Sequence, residues 1–269
     1  MIRILSISVF LLMLLSPGLS NANNNFPGRL EFPAIATYEK KDLFNNFKDV
    51  IIVDTRSPYE YQTLRINGAV NIPVSSKTFK KEVKLLRNKS LKPIVFYCNG
   101  RSCFKSYKAV KKAKRAGIKN TFAYDAGMFE WAKTFPQYST LLGQSPVNPA
   151  DIISGTKYKK HLISPKTFGQ YAFNEKNNGL VLDIRDSQQR AAGIGLFLGK
   201  ERWASIENPD KIKTYIEKAK AQKQPIYIYD EVGKQVRWLQ YALEEQNVKN
   251  YFFMDKGAKG YIEKMVYNR

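Results

Sequence analysis

One pattern occurs twice in this chain, and few folds accommodate the repeat. Val50-Ile-Ile-Val-Asp54-Thr-Arg56-Ser57 returns as Gly179-Leu-Val-Leu-Asp183-Ile-Arg185-Asp-Ser187. Lys92-Pro-Ile-Val-Phe-Tyr-Cys98 returns as Gln224-Pro-Ile-Tyr-Ile-Tyr-Asp230. Thr121-Phe-Ala-Tyr-Asp125-Ala-Gly127-Met-Phe-Glu-Trp131 returns as Tyr251-Phe-Phe-Met-Asp255-Lys-Gly257-Ala-Lys-Gly-Tyr261. Each run opens with short, continuous apolar residues, the composition of a strand buried on both faces. Between the runs lie helix-forming stretches: Thr78 to Arg87, Lys105 to Ala116 closed by Gly117, and a helix opened by Ser164-Pro165. Strands alternating with helices imply a parallel sheet covered on both faces. A repeat at this spacing in 269 residues predicts two tandem α/β domains. Residues 32–142 form the first and 156–269 the second. The turn-rich segment around Leu142-Gly-Gln-Ser-Pro-Val-Asn-Pro-Ala150 supplies a linker over 143–155.

Chemistry concentrates in Pro93-Ile-Val-Phe-Tyr-Cys98-Asn-Gly-Arg-Ser-Cys103-Phe-Lys-Ser106. Here a strand ends in a small, polar loop that feeds a helix. Backbone N–H groups at such a junction converge on the loop and favour an anion. A thiolate at Cys98 is such an anion, so the position is expected to lower its pKa. Cys98 and Cys103 are the only cysteines, and His161 is the only histidine. A Cys/His metal cluster is therefore excluded on supply, and no cofactor is implied. A Cys–His dyad would require His161 to fold back from the other half. A lone surface or core histidine is the preferred reading.

Three motifs in order carry a family resemblance. They are Val53-Asp54-Thr-Arg56 … Glu60-Tyr61 … Ile66-Asn-Gly68-Ala69-Val70-Asn71-Ile72-Pro73, the strand ending in Cys98, and Gly127-Met128 with Trp131. Together they resemble the rhodanese (sulfurtransferase) domain across about a hundred residues. The resemblance implies a tandem rhodanese-like architecture with Cys98 as the sulfur-carrying nucleophile. Asn99, Gly100, Arg101, Ser102, Cys103 and Lys105 would form the loop that meets substrate. Asp54, Arg56 and Glu60 would act as structural support, a buried salt-bridge network. One departure stands out: Ser106 follows the cysteine by eight positions rather than the family's six. A loop about two residues longer makes a wider cradle. Phosphatase and arsenate-reductase chemistry is disfavoured, because those relatives need an arginine where Phe104 stands.

Cys103 admits three roles: a resolving thiol toward Cys98, the partner of a static disulfide, or a bystander at the first helical turn. Static pairing is disfavoured because it would disable Cys98. In the second half the nucleophile position is Asp230. A carboxylate cannot carry sulfane sulfur but caps orphan N–H groups well, so this copy reads as inactive. The Gly-Ala-x-Asn-Ile-Pro element also reads as lost there, replaced by irregular, glycine-rich Ala191 to Gly199.

The implied function is sulfur transfer through a Cys98 persulfide, from a thiosulfate-like anionic donor to a thiol or cyanide acceptor. Arg101 and Lys105 would attract the donor. The alternatives are a non-turnover persulfide carrier or sensor, and a thiol-redox module using Cys98 and Cys103. The formal net charge of +21 is spread along helix faces without a nucleic-acid motif, so it reads as a basic surface. At the N-terminus, Ile4 to Leu15 is an apolar run followed by Pro17-Gly18 and Ser20-Asn21-Ala22. This reads as a signal peptide over residues 1–22, too short for a stable membrane span of about 20 apolar residues. The mature protein is therefore expected to be exported, to the periplasm if the source is Gram-negative, with a periplasmic protein partner.

Overall fold

The computed structural model describes residues 25–266 apart from 175, 177 and 192–194. The expected signal peptide lies outside the described residues. None of the described helices is long and apolar enough to cross a membrane.

Six strands build the first half: β1 Ile51–Asp54, β2 Leu64–Ile66, β3 Val70–Asn71, β4 Ile94–Tyr97, β5 Thr121–Tyr124 and β6 Ser139–Leu141. Five build the second: β7 Leu162–Ile163, β8 Leu180–Asp183, β9 Glu201–Trp203, β10 Ile226–Tyr229 and β11 Tyr251–Met254. The first sheet runs β3-β1-β4-β5 and the second β7-β11-β10-β8-β9, every pair parallel. Read from the edge, β3-β1-β4-β5 and β9-β8-β10-β11 are the same order. Even the outer strand has its counterpart, since Thr37 bridges Ala123 in parallel where β7 pairs β11. The repeated sequence thus gives a repeated, helix-covered α/β sheet.

Side-chain alternation explains both faces of the first sheet. Ile94 and Phe96 point into one cluster with Phe79, Val83, Tyr107 and Val110 from helices Phe79–Lys89 and Lys105–Arg115. Val95 and Tyr97 point the other way, toward Leu43, Tyr124 and Trp131. That second cluster also takes in Trp238 and Tyr241, which belong to helix Val236–Glu245 of the second half. One apolar cluster therefore spans the two halves. The connection between them is not bare chain either. Short helical turns occupy Pro149–Asp151 and Gly155–Lys159, and Val147, Ile152 and Ile153 are buried.

Two elements differ from expectation. β2 and β6 form a two-stranded antiparallel ribbon, Leu64 opposite Leu141 and Ile66 opposite Ser139. Each run is only three residues long, too short to show a period. In the second half, the strand beside β8 is retained as β9, after the glycine-rich segment. Trp203 pairs with Asp183 as Asn71 pairs with Asp54. The element is displaced along the chain rather than lost, because pairing with β8 needs only backbone in register.

Candidate functional site

β4 ends at Tyr97, and Cys98 follows with no exposed surface. Residues 98–104 then curl into a loop, closed by Cys103 N–H donating to Gly100 O at 2.8 Å. Helix Lys105–Arg115 starts next, seven residues after Cys98; its counterpart, Val236–Glu245, starts six residues after Asp230. The loop is therefore one residue longer than its twin.

Neighbouring backbone fixes the loop from one side. Cys98 O accepts from Met128 N–H at 2.9 Å. Gly127 adopts φ +77°, and a Cβ there would collide with the backbone of Asn99 and Gly100. Only glycine allows both the turn and the approach. Gly257 repeats the arrangement against Asp230 and Gly233, at φ +60°.

From the other side, a buried polar network holds Asn99. Arg56 clasps Asp54, with Nε to Oδ1 at 2.9 Å and Nη2 to Oδ2 at 2.5 Å. Its Nη2 also donates to Leu64 O at 2.6 Å, and its Nη1 to Asn99 Oδ1 at 3.2 Å. Asn99 Nδ2 donates to Glu60 Oε1 at 2.8 Å. Glu60 closes a capping box with Ser57, which starts helix Pro58–Thr63, and pairs with Lys105 Nζ at 3.4 Å. Burial pushes the Glu60 carboxyl up, but Lys105, Arg56 and the Asn99 bond outweigh it and hold the group below its ordinary value. Asp54, Arg56 and Glu60 are thus brought together with Asn99 and Lys105, and of these only Asn99 lines the cavity described below.

The sulfurs of Cys98 and Cys103 are joined in a disulfide, their Cα atoms 6.3 Å apart. Pairing is common to the static and the resolving roles of Cys103. The turn from Gly100 to Cys103 folds the loop back and brings the two Cα atoms within the span a disulfide bridges. Pairing removes the bystander role. Ser106 is buried, with Oγ 3.9 Å from Cys98 Sγ.

In the second half the same scaffold holds a carboxylate. Arg185 clasps Asp183, with N–H to Oδ1 at 3.0 Å and Nη2 to Oδ2 at 2.9 Å, as Arg56 clasps Asp54. Asp230 is fully buried and accepts four backbone N–H groups. Val232 donates at 2.8 Å and Val236 at 3.1 Å; Gly233 and Gln235 complete the set. His161 packs on the Tyr251 ring at 3.9 Å, with Nδ1 3.0 Å from Tyr251 O, so it serves the core of the second half.

An open cavity of about 660 Å³ lies over the first loop. Asn99 to Cys103 line one side, Phe129, Glu130 and Lys133 another, and Arg237 a third. Arg101, expected to attract substrate, is committed to Glu130 at 2.8 Å, and Glu130 is also held by Lys40 at 3.1 Å. Lys105 is committed to Glu60. Arg237 was missed by sequence reasoning. It is the second residue of its helix, where the first copy has Ser106, so the repeat carried no signal for it. Its guanidinium lies 4.3 Å over the Phe129 ring and donates to Ile153 O at 2.9 Å. Burial lowers its pKa, and among the described residues it has no carboxylate partner.

Residues 37–134 match the model of the rhodanese-like domain family. The thiosulfate:glutathione sulfurtransferase of Saccharomyces cerevisiae is 30% identical over 92 residues, covering 31% of this chain and 65% of that protein. A tRNA uridine(34) hydroxylase of Yersinia enterocolitica is 31% identical over 106 residues, covering 37% of this chain and 29% of that protein. The chain thus spans less than two thirds of the length of either curated relative. Among solved structures, the thiosulfate sulfurtransferase of Pseudomonas aeruginosa is 16% identical with a TM-score of 0.37, covering 87% of this chain and 45% of that one.

Proposed function

Residues 37–134 form a rhodanese-like domain, and on that footing we propose that the protein is an exported sulfurtransferase working through a Cys98 persulfide. One observation carries the reading: the cysteine ends a central strand, in a loop fixed by the Asp54–Arg56–Asn99–Glu60 network. In the reduced protein the Cys98 thiolate attacks the outer sulfur of a thiosulfate-like anion. An S–S bond forms, the donor's own S–S bond breaks, and sulfite leaves with the electron pair. A thiol or cyanide then attacks the outer sulfur and regenerates the thiolate. The second half is an inactive copy, since its loop is filled by Asp230 instead of sulfur. Residues 1–22 act as an export leader, so the reaction runs in the periplasm and its product goes to a thiol or protein acceptor there.

Turnover tests this. Reduced protein given thiosulfate and cyanide should release thiocyanate repeatedly, and Cys98→Ser should release none. One loading without release supports a persulfide carrier instead, whereas the Cys98–Cys103 disulfide favours a thiol-redox module, which predicts loss of activity in Cys103→Ser. Sequencing the mature protein should find Asn23 first; an intact Met1 in membrane fractions contradicts export.

A further inference from the structure

The two joined sulfurs are unequally accessible. Cys98 has no exposed surface, whereas Cys103 is half-buried and lines the cavity. We propose that the disulfide is opened from this cavity by a small anionic thiol that attacks Cys103 and expels Cys98 as the thiolate.

The exchange balances without another reagent. The incoming thiolate forms a bond to Cys103 Sγ, the Cys98–Cys103 bond breaks, and the electron pair leaves on Cys98. A second equivalent of thiolate attacks the mixed disulfide on Cys103, releasing the small disulfide and the Cys103 thiolate. Two external thiols are oxidised and one protein disulfide is reduced. Attack on Cys98 instead would require a thiol to pass through the packed interior.

The charge around the cavity selects the thiol. Arg101 is neutralised by Glu130 at 2.8 Å. Arg237 faces no carboxylate, and Lys133 has no ion-pair partner among the described residues. A half-buried cation without a counter-ion is held at a cost that a carboxylate-bearing ligand relieves. Arg237 comes from the inactive half, which gives that half a task at the site: recognising the reductant. The proposal rests on the disulfide and the cavity, and stands whether or not Cys98 transfers sulfur.

The test uses the oxidised full-length protein with two probes, 3-mercaptopropionate and 2-mercaptoethanol, at equal thiolate concentration. Samples are quenched in acid at early times, alkylated and mapped by peptide mass spectrometry. The first mixed disulfide is expected on Cys103, with Cys98 alkylated. The carboxylated thiol is expected to open the bond about tenfold faster, in the range of electrostatic steering. Arg237→Met should slow 3-mercaptopropionate far more than 2-mercaptoethanol, so that the advantage collapses, and continued opening by 2-mercaptoethanol shows that the loop still folds. A first adduct on Cys98, equal rates for the two thiols, or an advantage that survives Arg237→Met overturns the proposal.

Discussion

The Trp238 ring stacks on Phe129 with centroids 5.0 Å apart, and the Arg56 guanidinium faces the same indole at 5.0 Å. One side chain of the second half thus touches both the helix that borders the cavity and the arginine that holds Asn99. Replacing Trp238 by alanine removes both contacts from a site with almost no exposure. The expected loss is roughly 3–5 kcal/mol. Urea denaturation should also change from one transition to two, as the halves lose their shared core. A single, unshifted transition would show that the halves are coupled elsewhere.

Gly127 and Gly257 separate structure from chemistry, because each meets its own loop in the same way. Alanine at either position forces an L side chain into positive φ and into a neighbouring backbone. Both variants should melt earlier. Gly127→Ala should also lose sulfur loading on Cys98, whereas Gly257→Ala should keep it. Equal loading in the two variants would mean that the position of Asn99 and Gly100 does not matter to the cysteine.

Asp230 is itself buried and answers four backbone N–H groups of its loop and of the first helical turn. Asp230→Ala leaves them unsatisfied and should cost about 3 kcal/mol, at roughly 1–3 kcal/mol per unmet buried group partly relieved by relaxation. Persulfide formation at Cys98 should be unchanged in the same samples. The stability loss is read from urea midpoints; a loss of loading instead would make the second half catalytic.

Glu60 gives a pH signature. Its folded carboxyl lies below its ordinary value, so the stabilisation it provides is present above the carboxylate range. That stabilisation is lost as pH falls through the folded value. Lys105→Met removes the leading attraction. The variant should be less stable than the native protein at neutral pH, and the gap should close as Glu60 is protonated in both. Urea midpoints measured across acid pH check the sign: a gap that widens on acidification contradicts the pairing.

Much of this was legible because it is local. The apolar runs ending at Asp54, Tyr97 and Tyr124 became β1, β4 and β5, and their repeats became β8, β10 and β11. The Ser164 cap and the Gly117 stop also act within a few residues. What stayed hidden depends on distant approach. No pattern in the chain says that Trp238 will meet Phe129, 109 residues away by subtraction of their numbers. Nor does composition show that Arg101 will spend its charge on Glu130 while Arg237 keeps its own. The five-residue spacing of the cysteines permits pairing but does not compel it, since the outcome turns on how the loop curls between them.

The most direct measurement is intact-protein mass spectrometry of the reduced protein after thiosulfate, in the Cys98→Ser and Cys103→Ser variants. One added sulfur atom retained in Cys103→Ser and absent in Cys98→Ser is the expected result. Sulfur added to Cys98→Ser, or to neither variant, would contradict a Cys98 persulfide.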